Sequence, residues 1–419
     1  MKMRRSLQLL ISAGAMKLRR IERAHRLAKW LRRTLWRAVG EAVLEFSRWM
    51  WGGCERFGPP QRIFSVYQAL RCGYPKTRGR IVLHDQGSPV VSEDSWMVRG
   101  GFNQYAEQPW PIFWSEQSPA RLVTESLALL GAGKSLCVES VYGLHGYHNP
   151  RLRADPASRF FRLPPPVQLA GNWTSLVSRW VPANSRATVT VIPNHSHWLL
   201  DALPRLALVS EFPPDTRILV PNQLAEYQKE TLAMLGLLER CRFTSEHHLE
   251  LEHYYFSAPT AMLACYNPYG VEFLRRAYLP HRDRSFSGPK KFFIRRAGKA
   301  RQPLNITEVE RFFADRGWAL VDLEKLGFRQ EVELFAEAEA ITGIGGSGFT
   351  NAVFCQPACS VVQIHARAEG FVLDGYLEWI QQVVGFKNRA ILLNCDYDLR
   401  YMIPLEEIRR GFAEAGVAL

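Results

Sequence analysis

The sequence predicts an α/β protein built from two halves, in each of which β-strands alternate with α-helices. The chain has 419 residues, more than one ordinary core accommodates, so two domains are the default expectation. Hydrophobic residues make up 47% and charged residues 22% of it, as in globular proteins. From about residue 186, strands and helices alternate on both sides of a polar break at 280–289. Such alternation is typical of parallel sheets that are covered on both faces.

Residues 1–52 are densely basic and account for most of the formal net charge of +13. Between 17 and 38, apolar residues recur at helical spacing with Arg and Lys largely between them. We therefore predict an N-terminal basic amphipathic helix on an anionic membrane surface, and no nucleic-acid partner. Eight scattered cysteines without a zinc-binding pattern indicate a reducing compartment, so we expect a cytoplasmic protein peripheral to the inner membrane. A solvated helix that packs on the body of the protein, or a translation start at Met16, are the alternatives.

Residues 53–280 form the predicted first domain. Up to about residue 180 it is rich in Pro, Gly and aromatic residues, which permits only short strands. Beyond that point, β-branched runs and helical periodicity become regular. The predicted strands are 80–84, 135–140, 187–192, 217–220 and 254–257, and the predicted helices follow residue 194 to about 209 and span 223–237.

Residues 281–400 form the predicted second domain, and 401–419 a C-terminal helix that packs back on the first domain. The predicted strands are 291–295, 318–323, 340–344 and 360–365, and the predicted helices are 307–316, 329–338 and a segment from about 349. Two such halves joined by a linker leave a cleft between them. Ligands of open α/β sheets bind beyond the carboxyl ends of the strands, so both halves can contribute to one site there.

One polar stripe follows the predicted strand 187–192. Asn194 is a good N-cap, and His197, Asp201 and Arg205 then recur every four residues, which places them on one helix face. A base, an acid and a cation in this row suit substrate binding and proton abstraction from a hydroxyl. Pro204 cannot donate a hydrogen bond to the Leu200 carbonyl and should kink the helix. The alternative is a surface helix with ordinary His–Asp and Asp–Arg pairs.

Two segments of the second half are suited to phosphate. A glycine-rich turn at 343–351 joins a strand to a helix and directs backbone N–H groups toward an anion such as a diphosphate. A basic cluster also follows the first strand of this half, and arginine binds phosphate oxygens bidentately. The alternatives are a tight strand-to-helix turn and a solvated basic loop. The cluster consists of Arg295, Arg296, Lys299 and Arg301.

The glycine turn also matches the letters of a dinucleotide-binding GxGxxG motif through Gly343, Gly345 and Gly348. It follows the third strand of its half, whereas the dinucleotide motif follows the first. The next strand also ends without the acidic residue that binds a ribose. A nicotinamide oxidoreductase therefore stays a minor alternative.

These segments, in this order over residues 186–366, resemble glycosyltransferase family 61. Residues 197–206 are similar to the family's His-Trp-Leu-Leu-Asp-x-x-Pro-Arg-Leu. Residues 334–338 are similar to its Leu-Phe-x-x-Ala, and 346–351 to its glycine turn ending in Thr-Asn. The basic block resembles the family's Arg-Arg, Arg and Asn at Arg295, Arg296, Arg301 and Asn305.

The resemblance implies a GT-B-like fold, with two Rossmann-like domains facing a cleft. The first would bind a saccharide or lipid-linked saccharide acceptor, and the second a nucleotide sugar. It further implies inverting transfer in surface or capsular polysaccharide biosynthesis, with no obligatory metal and no cofactor besides the nucleotide-sugar co-substrate. Only residues 396–398 match the letters of an Asp-x-Asp metal motif, beyond the predicted core strands of this half.

The same resemblance assigns the site residues. His197 and Asp201 would be catalytic, one of them as the base. Asn194, His195 and Arg205 would bind the acceptor. The donor-binding residues would be Arg295, Arg296, Arg301, Asn305, Gly346, Ser347, Gly348, Thr350 and Asn351.

Two positions depart from the family pattern. Gly345 stands where the family's turn begins with His, and Ile306 where Glu follows the Asn. The first departure and the basic N-terminus together motivate an alternative function, a catalytically silent scaffold in a polysaccharide assembly complex.

Overall fold

The computed structural model describes fourteen segments of the chain. They are residues 62–64, 66–72, 78–83, 112–123, 128–131, 135–137, 165–176, 195–246, 248–258, 261–262, 265–296, 302–367, 376–394 and 401–419. Contacts divide the chain into two compact units, 1–58 with 160–165 and 59–159 with 166–419. Nearly all described residues belong to the second unit. The predicted helix within 1–52 and the predicted strand 187–192 lie outside the described residues.

Ten strands form a mixed sheet. They are Arg62–Phe64 (β1), Arg78–Leu83 (β2), Ile112–Gln117 (β3), Ala120–Val123 (β4), Ala128–Gly131 (β5), Ser135–Cys137 (β6), Val167–Ser175 (β7), Arg217–Pro221 (β8), Cys241–Thr244 (β9) and His248–Ser257 (β10). β10 pairs antiparallel with β4 through its first residues and with β3 through its last. Its other edge begins the parallel order β10-β7-β8-β9. This part of the sheet, together with the short β1–β6 pair, has the parallel arrangement that the alternation predicts.

Three α-helices and a small hairpin belong to the same half. The helices are Val66–Arg71 (α1), Glu226–Met234 (α2) and Pro268–Tyr278 (α3), and the hairpin pairs Ala261–Met262 (β11) with Cys265–Tyr266 (β12). α2 is shorter than the predicted 223–237. It begins after Ala225, whose backbone is extended, and the chain leaves it through Gly236 at a φ of 66°. Glycine adopts this left-handed conformation readily, so it commonly ends helices.

The segment 195–211 is helical but is not the single α-helix that we predicted. His195–His197 forms one α-turn, Trp198–Ala202 is a π-helix and Leu203–Glu211 is a 3-10 helix. The Leu203 N–H bonds to the Trp198 carbonyl, five residues back. The next residue is Pro204, which has no N–H to continue either ladder. The chain therefore changes from a wide to a narrow helix at the position where we expected a kink.

The second sheet has five strands, all parallel. They are Lys291–Ile294 (β13), Ala319–Val321 (β14), Ala340–Ile344 (β15), Ser360–Arg367 (β16) and Lys387–Asn394 (β17), in the order β14-β13-β15-β16-β17. Its helices are Ile306–Ala314 (α4), Phe328–Ala336 (α5), the 3-10 helix Ser347–Phe354, Tyr376–Val384 (α6) and Leu405–Ala415 (α7). The predicted α/β alternation is confirmed here, while β17 and α6 were absent from the prediction.

Helix α7 packs on β16 and β17 among the described residues. Its predicted packing on the first domain stays a prediction. Phe412 inserts beside Phe313 and Trp318, and Gly411 lets Ile391 approach closely. Ile408 and Phe412 are four residues apart and therefore share the buried helix face. The nearest apolar surface along the chain thus covers this face.

A single buried apolar cluster connects the 195–211 segment with the helices of the five-stranded sheet. It includes Trp198, Leu199, Phe328, Phe349 and Val353. The His195–His197 turn contacts the helix Ser347–Phe354 directly. None of the described helices has the length and apolarity needed to cross a membrane. The domain boundary near residue 281 stays a prediction.

Candidate active site

His197 and Asp201 form a close pair on the 195–211 segment. The His197 ring nitrogen Nδ1 lies 2.6 Å from Asp201 Oδ2, and the side chains are 24% and 13% exposed. The predicted proximity of these two residues is confirmed. When the imidazole is neutral, a proton on Nδ1 donates to the carboxylate and leaves Nε2 as the nitrogen that accepts a proton. The pair can therefore act as a general base.

Arg205 lies further along the same segment and inside the protein, with its Nε buried. Burial lowers the pKa of its guanidinium, while the charges of Tyr254 and Asp201 oppose this change. Burial also raises the pKa of the Tyr254 phenol, which Arg205 opposes in turn. Arg205 thus stands in the electrostatic neighbourhood of Asp201, as the stripe predicts.

His195 has partners that the sequence does not predict. Its Nε2 lies 2.9 Å from Asn351 Oδ1, on the helix after the glycine turn. The Asn351 amide nitrogen donates to Glu331 Oε2 on α5 at 2.8 Å. Burial lowers the pKa of His195 and raises that of Glu331 to about 8. Tyr227 on α2 packs against the His195 ring with a centroid distance of 5.1 Å.

The glycine turn follows β15 at the carboxyl edge of the parallel sheet, as predicted. Arg296, after the neighbouring strand β13, donates from Nη1 to the Gly345 carbonyl at 3.1 Å. A Cβ on Gly346 would lie 2.6 Å from this same nitrogen, so the guanidinium covers the turn. The Ser347 and Gly348 N–H groups belong to the first turn of a helix and have no intrahelical acceptor, whereas the Phe349 N–H donates to the Gly346 carbonyl. The turn and Arg296 together can bind an anion.

At Gly345, the turn position that departs from the family pattern, a side chain from the neighbouring strand β16 occupies the space beside the backbone. A Cβ on Gly345 would lie 2.1 to 2.7 Å from atoms of the His365 ring on β16. His365 Nε2 also lies 2.9 Å from Gln363 Oε1. An imidazole therefore stands beside the turn, although it comes from residue 365.

Two further predicted donor-binding residues, Arg295 and Asn305, are paired with other groups of the protein. Arg295 is 41% exposed and paired with Glu310 and Asp322, and these partners raise the pKa of its guanidinium. Asn305 donates to the Ile403 carbonyl and accepts from the Ile403 N–H. The donor roles of both residues stay predictions.

Three more predicted donor-binding residues lie on the helix Ser347–Phe354. Ser347 and Gly348 are partly buried, and Gly348 faces Leu323. Thr350 is fully buried, and its hydroxyl has no hydrogen-bond partner within the described residues. Asn194, Arg301 and the Asp-x-Asp letters at 396–398 lie outside the described residues. Within the described part of the chain, no group of three His, Cys, Asp or Glu side chains is arranged to hold a metal.

A family model described as Glycosyltransferase 61 matches residues 196–362. Residues 196–362 belong to glycosyltransferase family 61. The predicted family is confirmed, and a glycosyltransferase is the activity that it supports. The comparison with curated proteins finds no match. The family 61 domain begins inside the His195–His197 turn and ends inside β16, so it includes the His197–Asp201 pair and the glycine turn.

Sequence reasoning missed Glu331 and His365 in and beside this family 61 domain. Glu331 has a signal in the sequence, because Phe328 and Phe335 lie three residues before and four after it and face the core. A carboxyl group on an apolar helix face requires a buried partner. His365 has no comparable signal in the sequence, because its contact with Gly345 depends on how β15 and β16 pair.

Proposed function

We propose that this glycosyltransferase transfers a sugar from a nucleotide sugar to a hydroxyl of a saccharide or lipid-linked saccharide, with inversion and without an obligatory metal. The observation that carries this proposal is the His197–Asp201 pair, held on a turn that packs against the helix after the glycine turn. A GT-B-like arrangement, with the acceptor on the side of the 195–211 segment and the donor at the five-stranded sheet, is part of the proposal. So is a role in surface or capsular polysaccharide biosynthesis in the cytoplasm.

In the proposed reaction, His197 Nε2 takes the proton of the acceptor hydroxyl. The hydroxyl oxygen forms a bond to the anomeric carbon as the bond from that carbon to the diphosphate oxygen breaks, and the diphosphate leaves with the electron pair. Asp201 holds the ring through Nδ1 and stabilises the imidazolium that forms. Arg296 and the N–H groups of the glycine turn would stabilise the charge on the leaving diphosphate.

A thermal-shift screen of UDP-, GDP- and dTDP-sugars tests the donor class, because a ligand that binds only the folded state raises the melting temperature. We expect one nucleotide class to stabilise the protein and to turn over. Turnover should persist in EDTA. A protein that binds none of them but co-purifies with partner proteins would support the scaffold alternative, whereas binding of NAD(P) alone would support the oxidoreductase.

Substitutions test the base. His197→Ala and Asp201→Asn should each lower kcat by roughly 10²- to 10⁴-fold, the usual range for a lost general base. His253→Ala is a matched control, because His253 forms a similar pair with Glu116 at 2.9 Å on the ten-stranded sheet. Unchanged kcat in both site variants would refute the assignment.

A further inference from the structure

A hydrogen-bonded network runs from the second sheet to the turn that carries His197. It consists of Glu331, Asn351 and His195, and we call it the Glu331 network. We propose that Glu331 and Asn351 are positioning residues for sugar transfer, which act through His195 to hold the His197 base against the helix of the glycine turn. This inference rests on the proposed function.

The geometry of the network is continuous. Asn351 Nδ2 lies 2.8 Å from Glu331 Oε2, and Asn351 Oδ1 lies 2.9 Å from His195 Nε2. His195 Nε2 is also 3.6 Å from Glu331 Oε2. Asn351 is fully buried, and the Glu331 and His195 side chains are 8% and 16% exposed. The burial of Asn351 and its two side-chain hydrogen bonds indicate a role through its neighbours.

The network has a defined direction. Because the Asn351 amide nitrogen donates to Glu331, its oxygen faces His195 and accepts the Nε2 proton. Burial lowers the pKa of His195, so its ring is neutral and carries that one proton. Tyr227 packs on the ring from α2 and restricts its rotation. His195 is therefore held in one tautomer and one orientation.

Holding His195 has a consequence two residues later. His195, Ser196 and His197 form a single α-turn, and the π-helix after it makes no standard i→i+4 ladder that would stiffen this end. Asn351 belongs to the helix Ser347–Phe354, and it lies four residues after Ser347, where this helix begins. The proposed function assigns this helix to the donor. One side chain thus links the proposed base to the proposed donor site. A misplacement of about 1 Å at a reacting group can lower a rate about 100-fold.

The network also predicts a response to pH. Burial raises the pKa of Glu331 to about 8, so the acid is neutral near pH 7 and ionises above that value. The titratable groups that face it are Tyr227 and Glu230 from α2 and His195 from the 195–211 segment. None of these supplies a cation to a newly formed carboxylate while His195 is neutral. Ionisation therefore places a buried charge in the network with the Asn351 amide as its donor but without a facing cation, which should loosen the network.

The first test removes members of the network. Glu331→Ala and Asn351→Ala should lower kcat for the best donor of the UDP-, GDP- and dTDP-sugar panel by at least roughly 10-fold. The dissociation constant of the matching nucleoside diphosphate should change less than about 3-fold, since the glycine turn is intact. Glu333→Ala is the matched control. Glu333 is a buried carboxylate on the same helix, but it accepts from the Asp283 N–H and has no link to His195.

The second test does not depend on the stability of the alanine variants. Glu331→Gln keeps the shape of the neutral acid and cannot ionise. We expect wild-type kcat to fall as the pH rises through about 8, and the Gln variant to keep its kcat there. If Glu331 had only a structural role, Glu331→Gln would change the melting temperature but would leave the fall of kcat above about pH 8, the alkaline limb, unchanged.

The outcomes separate the two proposals. If the protein transfers no sugar, or if His197→Ala and Asp201→Asn keep full kcat, the proposed function fails. If those two variants lose activity while Glu331→Ala and Asn351→Ala match Glu333→Ala in kcat, and the alkaline limb survives in Glu331→Gln, the positioning role is refuted. Loss of diphosphate binding together with kcat in Asn351→Ala would also refute it, because the residue would then act on the donor.

Discussion

Gly345 and His365 compete for one small volume at the carboxyl edge of the five-stranded sheet. The His365 ring lies where any side chain at position 345 would begin. Its distances to that point are too short for the ring to stay in place if a Cβ is added. The neighbouring Gly346 differs, because a Cβ there would meet only the tip of the flexible Arg296 side chain. These two glycines therefore predict different responses to the same substitution.

We expect Gly345→Ala to lower the free energy of unfolding by about 1 to 3 kcal/mol, the usual effect of overpacking a tight site. Gly346→Ala should cost less, since the backbone there is extended and Arg296 can swing aside. In a His365→Ala background the cost of Gly345→Ala should largely disappear. Denaturant unfolding of the single and double variants measures this coupling. Equal costs in both backgrounds would show that the ring does not limit this position.

The same residues mark how far sequence reasoning reaches at this scale. The His197–Asp201 pair could be predicted because a single helical turn fixes their spacing. The His365–Gly345 contact could not, because it depends on the register between β15 and β16. Asn351 was predicted as a donor ligand, but its full burial became visible only when α5 and the 195–211 segment were placed around it.

At the scale of elements, the N-terminus of α5 is held by a residue of another helix. Glu230 on α2 accepts from the Phe328 and Arg329 N–H groups at 2.6 and 3.2 Å. The Gln330 side chain accepts from the Gly327 N–H. The first N–H groups of a helix need such acceptors, and a carboxylate also suits the positive end of the helix dipole. Glu230 therefore joins the helix beside His195 to the helix that carries Glu331.

Glu230→Ala should lower the free energy of unfolding by about 1 to 2 kcal/mol, the effect of losing a helix cap. The free energy of unfolding of Glu230→Gln should lie between those of Glu230→Ala and the wild type, because glutamine keeps a hydrogen-bond acceptor but loses the charge. Glu226→Ala on the same helix is the control, since the Glu226 side chain is 90% exposed and its ion pair is with the neighbouring Lys229. Chemical denaturation of the three variants decides this. A Glu226→Ala effect as large as that of Glu230→Ala would contradict the capping role.

The helices also show why element type is harder to predict than element position. The sequence located the 195–211 segment through its periodicity, and Pro204 located the break within it. The sequence did not reveal that this segment contains a π-helix and a 3-10 helix. The type of helix depends on how Trp198, Leu199 and Leu203 pack in the shared apolar cluster.

At the scale of the molecule, the five-stranded sheet was largely predictable and the ten-stranded sheet was not. The parallel strands β13 to β16 are short and separated by helices, and β13, β15 and β16 are largely buried, which produces a clear alternation along the chain. In the other sheet, β10 pairs with β3 and β4, more than a hundred residues away in the sequence. Local periodicity carries no information about such pairings, so the order of these strands had no predictive signal.

The N-terminal segment supports a prediction about where the whole chain resides. Residues 1–52 carry thirteen Lys and Arg against three Glu, and so most of the net charge of +13. We propose that this segment binds anionic lipid at the inner membrane surface. Each basic residue close to such a surface contributes about 1 kcal/mol, so reversing three of them should weaken vesicle binding by roughly 100-fold or more.

The 419-residue chain with Arg19→Glu, Arg23→Glu and Arg26→Glu is compared with the wild type by sedimentation with phosphatidylglycerol vesicles. We expect the wild type to sediment at low salt, to be released at high salt, and to ignore phosphatidylcholine vesicles, because screening weakens exposed charge interactions. A control with the same change of net charge reverses three exposed arginines of α4 and α7. These are Arg311, Arg409 and Arg410. If this control loses binding as fully as the N-terminal variant, total charge and not the N-terminal segment determines membrane association.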